Sequence, residues 1–393
     1  MTIKEEKNDG KKIHFLSIII LETDRMDKKL SSFFVPFIRG PTVPVGIQMK
    51  KKEKLRFLAM SGMFRKLVER LSWMSRRNWQ QMMVSLEPII IGDNHVSSLT
   101  FDPTTSIVSI TWSDTGSIRI VFPNATFITK KMNRSVSNVT VLGPDLFVVC
   151  CYERYALILQ RNGDTLQEIG QFRHELLSEE DSVDVCCCDP NTGIIATADY
   201  SGGINLWSLD VRHPILHSNL NKHTRAVTRM MFQPKSNMLL SLDSSGKAIF
   251  WVLTEDGTRV LSSTALMLRE GKIKTFAFVP GTNMVVFGLN GPKIEFWSYE
   301  VNSDNQVVTN FLLQKTLEDS GIDLIKSISF HPDFPAILIG TGTLEDGKRV
   351  PAYLLSWGAR SSGEIFVDVL KTFGSFFRYS TLVWAYGRPW IGN

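Results

Sequence analysis

Three short stretches carry residue types that can do chemistry. The first is "GTLEDGKR", Gly342 to Arg349, a glycine, four intervening residues and then Gly-Lys. That spacing suits a loop whose backbone amides cradle phosphates while the lysine reaches the terminal one. The eighth position, where Mg²⁺ needs a Ser or Thr hydroxyl, is Arg349. Glu345 and Asp346 put two negative charges where a phosphate has to sit, and "VPAYLLSW" behind them alternates like a strand. The stretch therefore reads as a hairpin loop. The second is the run Cys186–Cys188, which with Cys150 and Cys151 makes up the five cysteines. The count is odd and no Cys-x-x-Cys occurs, so neither a disulfide framework nor a zinc site is indicated. The third is "HPILH", His213 and His217. On a helix they would share a metal, but Pro214 argues against that helix and no His-Glu-x-x-His is present. No Gly-x-Ser-x-Gly elbow occurs either. These patterns imply no cofactor, no metal and no catalytic centre.

The elements around these stretches are organised by a repeat. Prolines after an apolar-x pair stand at Pro103, Pro144, Pro190, Pro234, Pro280 and Pro332, with gaps of 41, 46, 44, 46 and 52 residues. Seven residues before five of them is Val96, Val183, Val227, Ile273 or Ile325. Four before come Leu99, Cys186, Met230, Phe276 and Ile328; two before come Phe101, Cys188, Phe232, Phe278 and Phe330. Those two offsets share one face of a strand, so Cys186 and Cys188 read as small core hydrophobes. Cys150 and Cys151, in "LFVVCCY", read the same way. The Pro144 unit is degenerate, with Ser137 and Thr140 at the outer offsets. Trp207, Trp251 and Trp297 each fall 17 residues after their proline. Trp357 closes a further copy delayed by "GTLEDGKRVP", and Val121 takes the tryptophan's place in the first.

A period near 44 with four strands per unit is the signature of a β-propeller blade. The chain resembles the WD-repeat family over about residues 96–370, best in "HTRAVTRMMFQPKSNMLLSLDSSGKAIFW". The units span about 96–132, 135–172, 180–218, 222–265, 270–316 and 322–371. The resemblance implies an all-β propeller at 91–393, with six readable blades and a seventh, hybrid or degenerate one. Residues 1–48 or "STLVWAYGRPW" are the candidate sources of its strands. It also implies structural roles for His223, Ser241, Trp207, Trp251, Trp297 and Trp357. No tryptophan is followed by aspartate, and Ser201 and Ser245 stand where the family has its turn aspartate. Asp199 and Asp243 lie two residues earlier, so the family's His–Asp–Ser–Trp hydrogen-bond network is expected to be incomplete.

The net charge of +5 is uneven. Residues 1–95 hold 18 Lys+Arg against 10 Asp+Glu, and the rest hold 26 against 29. The body thus lacks the basic face of a general nucleic-acid binder. Within 49–90, Phe57, Met60, Phe64, Leu67, Val68, Leu71 and Met74 recur at helical spacing beside ten basic residues. This basic amphipathic helix, including Lys66 and Trp73, reads as a helix packed on the propeller, or as a membrane-surface or partner-groove anchor. "IHFLSIIIL", Ile13 to Leu21, is an apolar-rich stretch of only nine residues, after Glu5, Glu6 and Asp9, and no cleavage site follows. The expectation is a cytoplasmic or nuclear chain that is not secreted, so the sequons at Asn124, Asn133 and Asn138 carry little weight.

The resemblance implies a non-enzymatic interaction scaffold that binds other proteins, with Tyr200 and Arg225 on its partner surface. The alternatives are a membrane-associated trafficking or cytoskeletal scaffold anchored through 50–80, and an enzyme with a channel site.

Overall fold

The computed structural model describes residues 2–8, 11–17, 34–36 and 89–91 and, apart from several turns and loops, 96–392. The chain divides into two compact units, Met1–Ser75 and Arg76–Asn393. The first carries an antiparallel sheet of Thr2–Asn8, Lys11–Ser17 and Phe34–Pro36.

The second unit is built from six four-stranded antiparallel sheets, each ordered along the chain. Blade 1 is Val96–Asp102, Ile107–Trp112, Ser117–Val121 and Phe127–Lys131. Blade 2 is Asn138–Gly143, Leu146–Cys150, Tyr155–Asn162 and Thr165–Arg173. Blade 3 is Val183–Cys188, Ile195–Asp199, Ile204–Asp210 and His213–Leu220. Blade 4 is Val227–Phe232, Met238–Asp243, Ala248–Leu253 and Val260–Leu266. Blade 5 is Ile273–Phe278, Met284–Leu289, Lys293–Val301 and Val308–Glu318. Blade 6 is Ile325–Phe330, Ala336–Thr341, Ala352–Ala359 and Ile365–Phe373. The Pro144 unit is a full blade despite its polar offsets.

A seventh sheet has three strands. Thr381–Ala385 pairs antiparallel with Arg388–Gly392, which pairs in parallel with Ile89–Ile91. Thr381–Ala385 lies against the first strands of blade 6 and blade 1 and closes the ring. The hybrid sheet therefore draws on the C-terminal stretch and on Ile89–Ile91; the strands within 1–48 form a sheet of their own. Ile89 and Ile90 are strand where helix was expected, because a β-branched run behind Pro88 favours extended backbone. The rest of 49–90, with Phe57, Phe64, Lys66, Leu71 and Trp73, lies outside the described residues, as does "GTLEDGKR".

Alternation of side chains explains why the sheets stack face to face. In blade 4, Met238, Leu240 and Leu242 join Phe276, Val285 and Phe287 of blade 5. The intervening Leu239, with Trp251, joins Ile194, Ala196 and Leu206 of blade 3. Second strands are accordingly buried at every residue in blades 1, 3, 4 and 6. Cys186 is buried in the layer that blades 2 and 3 share, and Cys188 is half-buried against it. Cys187 faces the opposite layer. "HPILH" is the outermost strand of blade 3, where His217 shares a hydrogen bond with Ser208. Among the described residues no group of three metal-binding side chains forms.

Glycine sets the spacing of blades 3 and 4. Gly202 has φ +103, and a Cβ there would lie 2.9 Å from the carbonyl oxygens of His223 and Arg225. Gly193 also has positive φ, +72, but faces open space. Gly202→Ala is expected to lower stability by roughly 2–4 kcal/mol, against about 1 kcal/mol for Gly193→Ala. Denaturant unfolding followed by circular dichroism checks the contrast; equal losses would mean the close approach does not matter.

Candidate partner-binding rim

Each strand pair of a blade sends its second-to-third turn to the same end of the ring as the loop entering its first strand. That shared end is the entry rim, and a buried polar chain anchors it. In blade 4, His223 precedes the first strand, Ser241 and Asp243 lie on the second, and Trp251 lies on the third. His223 Nδ1 is 2.9 Å from Asp243 Oδ2, and His223 Nε2 is 2.7 Å from Ser241 Oγ. The Trp251 indole N–H donates to the same oxygen at 2.8 Å. One proton arrangement satisfies every atom. The carboxylate accepts from Nδ1–H, neutral Nε2 accepts from the serine hydroxyl, and the serine oxygen accepts from the indole. The other carboxylate oxygen accepts from the Ser245 hydroxyl and the backbone N–H of Ser245 and Lys247, which shapes the turn.

Blade 3 repeats the chain around Asp199 and Trp207, with His174 and Thr197 as members that the sequence reading did not assign. His174 Nδ1 meets Asp199 Oδ2 at 3.0 Å, its Nε2 meets Thr197 Oγ1 at 2.6 Å, and Trp207 donates to Thr197 at 2.7 Å. Asp199 also accepts from Ser201 Oγ and Gly203 N–H, each at 2.7 Å. The expectation of an incomplete network is thus corrected. Asp199 and Asp243, at the end of the second strand, reach back to the histidine, and Ser201 and Ser245 bond to the aspartates instead of replacing them.

The other two tryptophans sit outside this scheme. Trp297 donates to Glu295 at 2.8 Å, because Phe287 holds the place of the hydroxyl residue. Trp357 is displaced. Ile195, Leu239 and Val285 pair with Trp207, Trp251 and Trp297, but the corresponding Ile337 pairs with Leu355. The insertion between the second and third strands moves the indole one same-face step outward, where it meets Phe330 edge-on at 5.9 Å.

Asp243, His223 and Ser241 have the connectivity of a hydrolytic triad, yet they are 1%, 6% and 0% exposed, and the serine oxygen is occupied on both sides. No substrate reaches it, so its work is to hold the rim. Burial lowers the pKa of His223 against the raising pull of Asp243. Burial pushes Asp243 up, but hydrogen bonds from Ser245, His223 and Lys247 leave it below the ordinary value.

On this anchored frame stand the exposed candidates. Tyr200, 60% exposed, follows the second strand of blade 3 in the turn that Gly202 presses against the carbonyls of His223 and Arg225. Tyr200 and exposed Arg225 therefore share one stretch of rim. Tyr152, 50% exposed with φ +49 in the matching turn of blade 2, adds an aromatic that sequence periodicity did not flag. Burial raises its hydroxyl pKa, with the Asp184 carboxylate adding to the rise.

Comparison with solved structures gives the same architecture. The chain superposes on the β-propeller domain of Myceliophteria thermophila Cps50 (Swd1) with a TM-score of 0.55 at 11% identity, covering 75% of this chain and 91% of that one. The RRP9 WD40 repeats give 0.57 at 11%, over 76% and 87%. U3-55K gives 0.55 at 12%, over 76% and 88%. No family model matches the sequence, and no curated protein matches it.

Ser241→Ala strands both the Trp251 N–H and His223 Nε2, and is expected to cost roughly 2–4 kcal/mol. Ser241→Thr, which copies Thr197 of blade 3, should cost far less; comparable losses by denaturant unfolding would sink the hydrogen-bond account. For acid, both folded pKa values lie below the ordinary 6.5 and 3.8. The stability tied to His223 is complete above about pH 6.5 and is lost as pH falls through the folded value, with Asp243 adding a loss below about 3.8. His223→Gln should lower Tm at neutral pH yet flatten its decline between about pH 7 and 5.

Proposed function

We propose that this chain, whose fold is that of the WD40 β-propellers, is a non-enzymatic scaffold that holds a partner protein on its entry rim. The observation that carries the reading is Tyr200 and Arg225, both exposed on the one stretch of rim where Gly202 meets the Arg225 carbonyl, above the sealed His–Asp–hydroxyl–Trp chains. Aromatic and arginine side chains dominate binding energies at protein interfaces, and rigid scaffolds carry such contacts on their turns. The sealing of the hydroxyl chains favours a structural over a catalytic role for the only Ser-His-Asp set in view among the described residues. All five cysteines are free thiols, which suits a cytoplasmic or nuclear setting.

Affinity capture with the full chain tests it. The double substitution Tyr200→Ala/Arg225→Glu should lose its main bound proteins by at least about tenfold, while Lys131→Ser, on the outermost strand of blade 1, should keep them. Identical captures from all three chains would contradict the rim assignment.

A further inference from the structure

In blades 1, 3, 4, 5 and 6 the ladder between first and second strands skips one residue just inside the rim. The skipped residues are Ser97, Asp184, Thr228, Lys274 and Lys326. A bulged residue leaves the ladder, and on the innermost strand of a blade it stands beside the mouth of the ring's channel, where Ser97 and Thr228 bond back to Thr111 Oγ1 and the Leu242 carbonyl. The repeat makes this mouth uneven. Blades 5 and 6 put lysines there, and Lys272 stands just before the blade 5 strand. Burial lowers the pKa of Lys274, and the charges of Lys272 and Lys326 add to it. Among the described residues no carboxylate pairs with any of the three.

One residue further along each strand the contrast sharpens. Blades 1, 3, 5 and 6 have Ser98, Val185, Thr275 and Ser327 there; blade 4 has Arg229. The Arg229 guanidinium carbon lies 5.7 Å from the centre of the Phe276 ring of blade 5. Among the described residues it has no hydrogen bond and no ion pair. Burial alone, with no charged neighbour contributing, pulls its pKa to about 10. A half-buried cation without a counter-charge is a cost to the fold that its sister residues avoid, and such costs concentrate where a ligand supplies the missing partner.

We propose that the channel mouth of blades 4–6 takes an acidic peptide segment of the partner, with one carboxylate on Arg229 and others on Lys272, Lys274 and Lys326. The planar fork of arginine suits a carboxylate. The three lysines feel one another's charge while Arg229 feels none of them, so the set matches several single carboxylates along a chain better than one phosphate dianion, which draws all its donors to one point. This rests on the scaffold reading and names the chemistry of its partner.

The test uses the full chain and a short fluorescein-labelled Glu-rich peptide, beside its Gln counterpart and a phosphoserine version. The Glu peptide should bind with a salt-sensitive affinity roughly tenfold or more above the Gln peptide and no weaker than the phosphoserine one. Arg229→Met, which keeps the packing on Phe276, should weaken it roughly tenfold while leaving Tm unchanged or higher. Lys274→Ser/Lys326→Ser should weaken it and flatten its salt dependence; Lys131→Ser should do neither. Absence of Glu-peptide binding, preference for phosphoserine, full binding by Arg229→Met, or a lower Tm for that variant would each overturn the proposal. If the Glu peptide fails while the Tyr200/Arg225 variant still loses captured proteins, the acidic segment is wrong and the scaffold reading stands.

Discussion

Every blade here is a sheet with two apolar faces, and a sheet cannot cover itself. That constraint governs the rest of the second unit. Side-chain alternation divides each second and third strand between two neighbours, so Leu239 and Leu240 belong to different cores. An open row of such sheets would leave one apolar face bare at each end. A ring removes both bare faces, and the three-stranded hybrid sheet completes it between blade 6 and blade 1.

Face-to-face burial is non-directional and does not by itself fix where a turn sits. The polar chains of blades 3 and 4 supply that direction. Each ties the residue entering a blade to its second strand, its tight turn and its third strand through hydrogen bonds that no water can replace. The rim between them is thereby held while its outward side chains stay free. The same logic separates Arg229 from His223. The histidine has a partner on each nitrogen, whereas the arginine has an aromatic ring and, among the described residues, nothing to neutralise it.

The proline phase and its apolar offsets made the six blades and their innermost strands legible, because a β-turn and a two-residue alternation leave local marks. The polar chains were only half legible. His223 stands 11 residues before its proline, but His174 stands 16 before Pro190, and the longer entry loop hid it. Motif spacing also places the aspartate by count, whereas the structure places it by reach: a carboxylate two residues early still meets the imidazole. Trp357 misled for the converse reason, since counting to the next tryptophan ignored that an insertion can shift the register. Ile89–Ile91 joins residues some three hundred positions away, and nothing local in three isoleucines announces that. The lysines and Arg229 were visible as residues, but their shared mouth emerges only when neighbouring first strands are set side by side.

Pairing of Ile89–Ile91 with Trp390–Gly392 makes one of the first strands of the ring wait for the last. During synthesis at roughly 5–20 residues per second, six blades emerge before the closing strand exists. For that interval the outer face of blade 1, with Val96, Leu99, Val108, Ile110 and Trp112, has no completed neighbour. The nascent ring is then a curved stack with sticky ends, and the hairpin of Thr381–Ala385 and Arg388–Gly392 acts as a clasp that decides whether those ends meet each other or another chain.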